Sequence, residues 1–577
     1  QIQAMSNTAK VKALRAVMQN KGIAAVIIPT ADPHQSEYPA ECWKDREWIS
    51  GFTGSAGVVV VGREVAGLWA DSRYYLQAEE ELKGGAITLF KVKNQFAPEH
   101  VEWLCETLTD GDEVAIDGED ISKSQYDQYA QMLGKKGIVL KTIDLVSEIW
   151  TDRPALPSAP AFLLEAPYPG NTRAEKLAMI RKTMREKLAD HHLMTSLDDI
   201  AWTFNLRGRD VAFNPLVVAH ALVSQTSATL YMDAGKLDEK SIAELAKDHI
   251  QIQPYSQIVA DLNHLSAGQT VLVEAATINT TLYKAINGQL LHGDAPARIA
   301  KGVKTASEIE HLRATMVKDG VALVKAFKWL EDNLGKTTIT EAGFGDIIAQ
   351  FRSEQEAYQG ESFNAIVGYQ SNGAIVHYHP DHHNSAEIKP EGILLVDCGG
   401  QYLGGTTDIT RTIALSKPDQ QQQRHYTLVL KGHIAIARVI YPEGTCGAQL
   451  DVLARQFLWQ HGLNYLHGTG HGIGYFLNVH EGPHGFAGPG TEKGRTAFLP
   501  GMVISNEPGL YLENQYGIRI ENVIVVSTTQ VPGYLDFETV RFMPVDKELI
   551  HESNFDAGEK AWINRYYTTV YDKLSIG

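Results

Sequence analysis

An apolar run that stops on a carboxylate occurs twice in the second half of this chain, and it constrains the fold more than any other feature. Gly392-Ile393-Leu394-Leu395-Val396 runs into Asp397. Met502-Val503-Ile504-Ser505-Asn506 runs into Glu507, where Pro508-Gly509 halts it. Apolar residues directly before Asp397 put its carboxylate at the end of a buried strand, where an unpartnered charge is costly. After a glycine-rich turn at 398–405, residues 406–412 read as the return strand of a hairpin. Asp408 is then expected to face Asp397 across neighbouring strands, which lie about 4.8 Å apart. Two carboxylates that close repel, and a cation between them removes the conflict.

Further groups converge on the same chemistry. Leu466-His467-Gly468-Thr469-Gly470-His471-Gly472-Ile473-Gly474 surrounds His471 with glycines, which let backbone approach a site closely. Gly517-Ile518-Arg519-Ile520-Glu521-Asn522-Val523 alternates as a strand, with Arg519 and Glu521 on one face. Arg519 can hold the acidic site in place as a supporting cation. Asp397, Asp408, Glu507 and Glu521 carry four negative charges, enough to balance two divalent cations, and His471 adds one imidazole. Hard oxygen ligands with one nitrogen suit manganese, cobalt, zinc or magnesium better than copper. Two such ions about 3.5–4 Å apart can share a hydroxide and clamp a tetrahedral intermediate.

Two histidine motifs mislead. His480-Glu481-Gly482-Pro483-His484 has the spelling of a zinc-protease HExxH, but that motif works on a helix and Gly482-Pro483 forbids one. His480 stays of interest as a loop donor. The histidine-rich stretch Tyr378-His379-Pro380-Asp381-His382-His383 reads as a solvated loop, and His377, after Ala374-Ile375-Val376, is the better candidate. The glycine-rich 485–494 segment lacks the Lys-Ser/Thr of a phosphate loop.

With 577 residues, three domains are expected. Pro154, Pro157 and Pro160 mark a linker, because prolines so close fit neither a helix nor a central strand. A second boundary falls near 294–304, where Thr305-Ala306-Ser307-Glu308 reads as a capping box. It opens a helix with Ile309, Leu312, Met316, Leu323, Phe327 and Leu330 at helical spacing. The expected domains are 5–155, 161–299 and 300–577, an α/β (α+β) architecture. The first two share a pattern that suggests duplication of one α/β module. Each has a helix and a short apolar strand (24–28; 193–195), then Trp48 with Gly51 or Trp202 with Gly208. Each continues into a strand ending on Asp71 or Asp233.

A formal charge of -17 argues against a nucleic-acid partner and gives no support to docking on anionic membranes. Cys42, Cys105, Cys398 and Cys446 form no CxxC pair, so reduced thiols in a cytoplasmic setting fit. No secretory signal or membrane span is read, and residues 1–4 read as an expression scar before Met5. Asn279-Thr280-Thr281 spells a glycosylation acceptor, which without a secretory signal carries no meaning.

Asp397 in LLVDCGG, Asp408 in GTTDITRT, His471 in YLHGTGHGIG, FLNVHEGP after it, Glu507 in SNEPGLY and Glu521 in GIRIENV together resemble the metal-dependent aminopeptidase P and prolidase family. PTADPHQSEY, SGFTGSAG, WTDRP and FNLRG resemble its long, three-domain cytosolic branch. The resemblance implies two creatinase-like N-terminal domains before a pita-bread catalytic domain. It implies hydrolysis of an N-terminal Xaa-Pro bond by a hydroxide bridging two divalent metals, usually Mn2+, in a homodimer. Asp397 would bind one metal, His471 and Glu507 the other, and Asp408 and Glu521 both. Glu507 would also move the proton. His377 and His480 would flank the scissile bond, with Arg519 also on the substrate side, and His467 would sit beside the site. Leu510-Tyr511 stands where relatives often carry two tyrosines, which leaves the shape of the substrate pocket open. Two alternatives stay open: a prolidase-type dipeptidase, and a non-catalytic peptide- or histone-binding module on the same fold.

Overall fold

The computed structural model describes residues 5–376 and 378–576. The chain divides into two compact units, the first built mainly from residues up to Pro296 and the second mainly from Ala297 onward.

In the first unit the expected duplication takes the form of two six-stranded sheets. One runs Ile87–Lys91, Ala66–Ala70, Val58–Gly62, Ala25–Pro29, Glu113–Ile116, Val139–Thr142. The other runs Ile250–Gln253, Ala228–Tyr231, His220–Ser224, His191–Met194, Thr270–Val273, Gln289–His292. The directions repeat too: in each, the first strand in sequence pairs antiparallel with the second and parallel with the fifth. The central strands are apolar on both faces, as in Val59, Val60 and Val61, because helices cover both sides. The proline-rich 151–161 stretch carries no helix or strand. Asn279 is 1% exposed, its side chain capping the Thr280–Ala285 helix and donating to the Pro33 carbonyl, so it offers no glycan site.

In the second unit the helix Ala306–Asn333 opens on the expected capping box: the Glu308 amide donates to Thr305 Oγ1 and the Thr305 amide to Glu308 Oε1. Leu312, Met316, Leu323 and Leu330 line its buried face. Ile366–Tyr369, Ile393–Cys398 and Ile409–Ala414 form one antiparallel sheet. A six-stranded sheet runs Tyr441–Pro442, Tyr534–Thr539, Asn522–Thr528, Val503–Asn506, Gly470–Gly472, Glu481–Phe486. The Ala557–Leu574 helix closes the chain, with Ile563, Tyr566 and Val570 buried.

The structure corrects two local expectations. Asp397 pairs across the hairpin with Thr410, not Asp408, which sits one residue before the return strand. The stretch expected as one strand through Glu521 is broken into Tyr516–Arg519 and Asn522–Thr528. At the break Glu521 bridges to Thr410, which turns its carboxylate toward the Asp397 sheet.

Candidate metal centre

Asp397 is the penultimate residue of the buried strand Ile393–Cys398, its side chain held by Arg519 Nη2, which donates to Oδ2 at 2.7 Å. Asp408 enters the neighbouring strand. Glu521 sits at the strand break, where its Oε1 accepts the Thr410 hydroxyl at 2.8 Å. Glu507 follows the strand Val503–Asn506, and its amide donates to the Thr469 carbonyl at 2.8 Å. His471 lies in the middle of Gly470–Gly472, a strand squeezed between two others. A Cβ on Gly470 would lie 1.8 Å from the Ser505 carbonyl oxygen, and one on Gly472 would lie 2.1 Å from that of Glu481. Only glycine permits that approach, which is why glycines flank the histidine.

Asp408, His471, Glu507 and Glu521 each bring one ligand atom within 4.8 Å of the others. Asp397 lies outside that set of four but close enough that its charge raises the Asp408 carboxyl. Burial, followed by mutual repulsion, pushes Asp397, Asp408 and Glu521 each up to about 7. Burial and the Glu521 charge hold Glu507 well above the carboxylate range. His471 Nδ1 lies 2.8 Å from the Gly472 carbonyl, so it carries the proton, and the Nε2 lone pair faces Asp408 Oδ2 at 3.3 Å. Burial, reinforced by His480, pulls His471 down to about 3, so the ring is neutral.

These donors fit metal ions. Asp397 Oδ1, Asp408 Oδ1 and Glu521 Oε2 are buried without a hydrogen-bond partner. Buried polar atoms are rarely left so. Four carboxylates and an imidazole lone pair turned inward lack only positive charge between them, and the oxygen-rich set suits hard divalent cations.

Around the ligands, Arg519 is 3% exposed and donates to Tyr511 Oη and Thr410 Oγ1 as well as Asp397. His467 Nδ1 lies 2.8 Å from the Gly468 carbonyl, which leaves Nε2 to accept the Tyr511 hydroxyl at 2.7 Å. Burial and then Arg519 lower His467 to about 4. The ring of His480 stands edge-on to that of His471, centroids 4.5 Å apart. His377 lies outside the described residues. Among the misleading motifs, Glu481–Phe486 is a strand, and His484 is buried against the Val503 carbonyl. His382 is exposed beside Asp346. Sequence reading missed Thr410, whose hydroxyl links Glu521 to Arg519. Its place two residues beyond Asp408 on an alternating strand was the available signal.

A buried cluster of carboxylates with one neutral imidazole is a site that can hold divalent cations. Profiles match for "Metallopeptidase family M24" over residues 310–528 and "C-terminal region of peptidase_M24" over 533–576. A "Creatinase/Prolidase N-terminal domain" profile matches over 10–153, and another over 152–308. A probable Xaa-Pro aminopeptidase P of Laccaria bicolor is 37% identical across 100% of this chain and 91% of that protein. One from Neurospora crassa is 40% identical over 97% of this chain and 85% of its own. The crystal structure of the Caenorhabditis elegans X-prolyl aminopeptidase, described as a cytosolic enzyme with a di-nuclear active site, superposes with a TM-score of 0.92. It shares 32% identity and covers 99% of this chain and 96% of its own. The chain belongs to the M24 metallopeptidases, within their Xaa-Pro aminopeptidase P group.

Proposed function

We propose that this protein removes the N-terminal residue from peptides with proline in second position, using two divalent metal ions. One observation carries the reading: four ligand atoms within 4.8 Å of one another, beside buried carboxylate oxygens that lack any partner. Similarity to Xaa-Pro aminopeptidases along essentially the whole chain supports the proline preference. In this reading Asp397 serves one ion, His471 and Glu507 the other, and Asp408 and Glu521 both. Manganese is the proposed metal: donor hardness leaves manganese, cobalt, zinc and magnesium open, and the family resemblance selects among them. The proposed domains remain 5–155, 161–299 and 300–577. A cytosolic homodimer is the proposed state; the C. elegans relative is described as cytosolic, and the dimer rests on family resemblance alone.

When bound, the ions supply an activated water at neutral pH and positive charge for the developing oxyanion. The chain supplies the rest. Glu507, ionised beside the ions it would help to hold, takes the proton from the attacking water and returns it to the leaving amine. His480, edge-on to His471, and His377 donate hydrogen bonds on either side of the scissile bond. Arg519, with its donors on Asp397, Tyr511 and Thr410, fixes Asp397 from behind, and any substrate contact it makes is secondary.

The test is metal analysis together with hydrolysis of an Xaa-Pro-Xaa tripeptide, an Xaa-Pro dipeptide and a tripeptide without proline. Two metal equivalents and cleavage of the proline tripeptide are expected. Turnover of the dipeptide alone would make this a prolidase. A fully loaded protein that cleaves none of the three would make it a binding module.

A further inference from the structure

Behind the metal centre lies a second charged cluster that plays no part in the scheme above. Asp319, midway along the Ala306–Asn333 helix, is fully buried, as are Arg352 and Arg541. Its Oδ1 accepts Arg352 Nε at 2.7 Å and the Tyr402 hydroxyl at 2.8 Å. Its Oδ2 accepts Arg541 Nη2 at 2.5 Å. Burial alone would raise this carboxyl, but the two guanidinium groups overcome that and hold it well below the usual range. Arg352 also reaches Glu361 Oε1 at 2.8 Å.

The cluster grips the connection that joins Asp397 to Asp408. Arg352 Nη2 donates to Cys398 Sγ at 3.3 Å, directly after Asp397. Tyr402 binds Asp319 from within the connection. One helical turn before Asp319, the Thr315 hydroxyl donates to the Gly404 carbonyl at 2.9 Å. At the far end Arg541 Nε donates to the carbonyl of Asp408 itself at 3.4 Å. The segment is therefore held at both ends and twice between.

Stability does not account for such a cluster. Stripping charges of their water is expensive, and well-packed apolar replacements are often as stable or more so. What apolar side chains cannot do is hold polar points by direction and distance, as Arg352 holds Cys398 Sγ and Arg541 the Asp408 carbonyl oxygen. We propose that Asp319 is a positioning residue for the metal centre: held between Arg352 and Arg541, it sets the spacing of Asp397 and Asp408 and with it the affinity for the ions. This inference rests on the proposed dinuclear site, and the experiment separates the two.

Wild type, Asp319→Asn and Tyr402→Phe are stripped of metal, checked for folding by circular dichroism and apo melting, and titrated with Co2+. Visible absorption and bound-metal analysis are the readouts, with no activity assay. Wild type that takes up fewer than two Co2+ would overturn the dinuclear reading itself. Given two, Asp319→Asn is expected to bind at least one ion roughly ten- to a hundredfold more weakly, with an altered cobalt spectrum. Tyr402→Phe, which leaves no buried charge unpaired, should shift both readouts the same way by less. It decides the matter if Asp319→Asn does not fold. Wild-type affinity and an unchanged spectrum in the folded variants, whatever their melting temperatures, would reduce Asp319 to a core ion pair and overturn the proposal.

Discussion

At the scale of single residues, the ligands are backed by a chain of hydrogen bonds that branches at Arg519. Arg519 joins Asp397 to Tyr511, and the Tyr511 hydroxyl donates onward to neutral His467. Tyr511→Phe removes only that hydroxyl and leaves the Arg519–Asp397 bond in place. Metal content should stay at the wild-type level while kcat falls roughly tenfold, the scale of one buried charge-assisted hydrogen bond. Steady-state kinetics on a proline tripeptide, with metal analysis of the same sample, checks this; an unaltered kcat would detach His467 and Tyr511 from the reaction. Asp408→Ala and Glu521→Ala should act differently. Each deletes a proposed bridging carboxylate, so one or both ions and most activity should go. A variant with full metal and full rate would refute the bridging assignment.

At the scale of elements, the glycines around His471 give the sharpest contrast. Gly470→Ala drives a Cβ to 1.8 Å from the Ser505 carbonyl oxygen, so Gly470–Gly472 must leave its neighbours and carry His471 with it. Gly488→Ala, in the loop after the adjoining strand, meets nothing within 4 Å. Elemental analysis should find the first variant depleted of metal and the second fully loaded. Equal loading of both would mean that the strand tolerates displacement. Much of this layout was legible in the sequence. Apolar runs ending on Asp397 and Glu507, the glycines at His471 and the Thr305–Glu308 box are local signals, each carried by a few adjacent residues. What stayed hidden was register and reach. The offset that pairs Asp397 with Thr410 depends on where the 398–408 connection turns, and the break at Glu521 on what packs opposite. Asp319 carries no local signal, because its partners Arg352, Tyr402 and Arg541 are brought to it only by the fold.

At the scale of the whole molecule, the centre should write its charge state into the pH dependence of stability, and two opposing sets of groups decide where that is visible. Buried histidines such as His433, His471 and His484 are pulled from 6.5 down to about 3. Between those values the unfolded chain binds more protons than the native one, so these groups make stability rise with pH until about 6.5 and contribute no slope above it. The carboxylates work the other way. Asp397, Asp408 and Glu521 hold protons in the metal-free native state up to about 7, whereas their unfolded values are 3.8 for aspartate and 4.5 for glutamate. Here the native state binds more protons, so stability is lost as pH rises through about 7, and Glu507, whose carboxyl is also raised by burial and by Glu521, adds to that loss. Below pH 6.5 the two sets offset each other; above it only the carboxylates remain. Chelator-stripped protein should therefore melt at a lower temperature at pH 8 than at pH 6.5. Metal-loaded protein, whose carboxylates are already ionised against the cations, should lose little or nothing over that interval, since binding that releases protons strengthens as pH rises. Differential scanning fluorimetry of both forms at the two pH values should show the gap between them widening. A gap that stays constant would mean that these carboxylates are not the groups the metal discharges, and the metal centre would have to be sought among other residues.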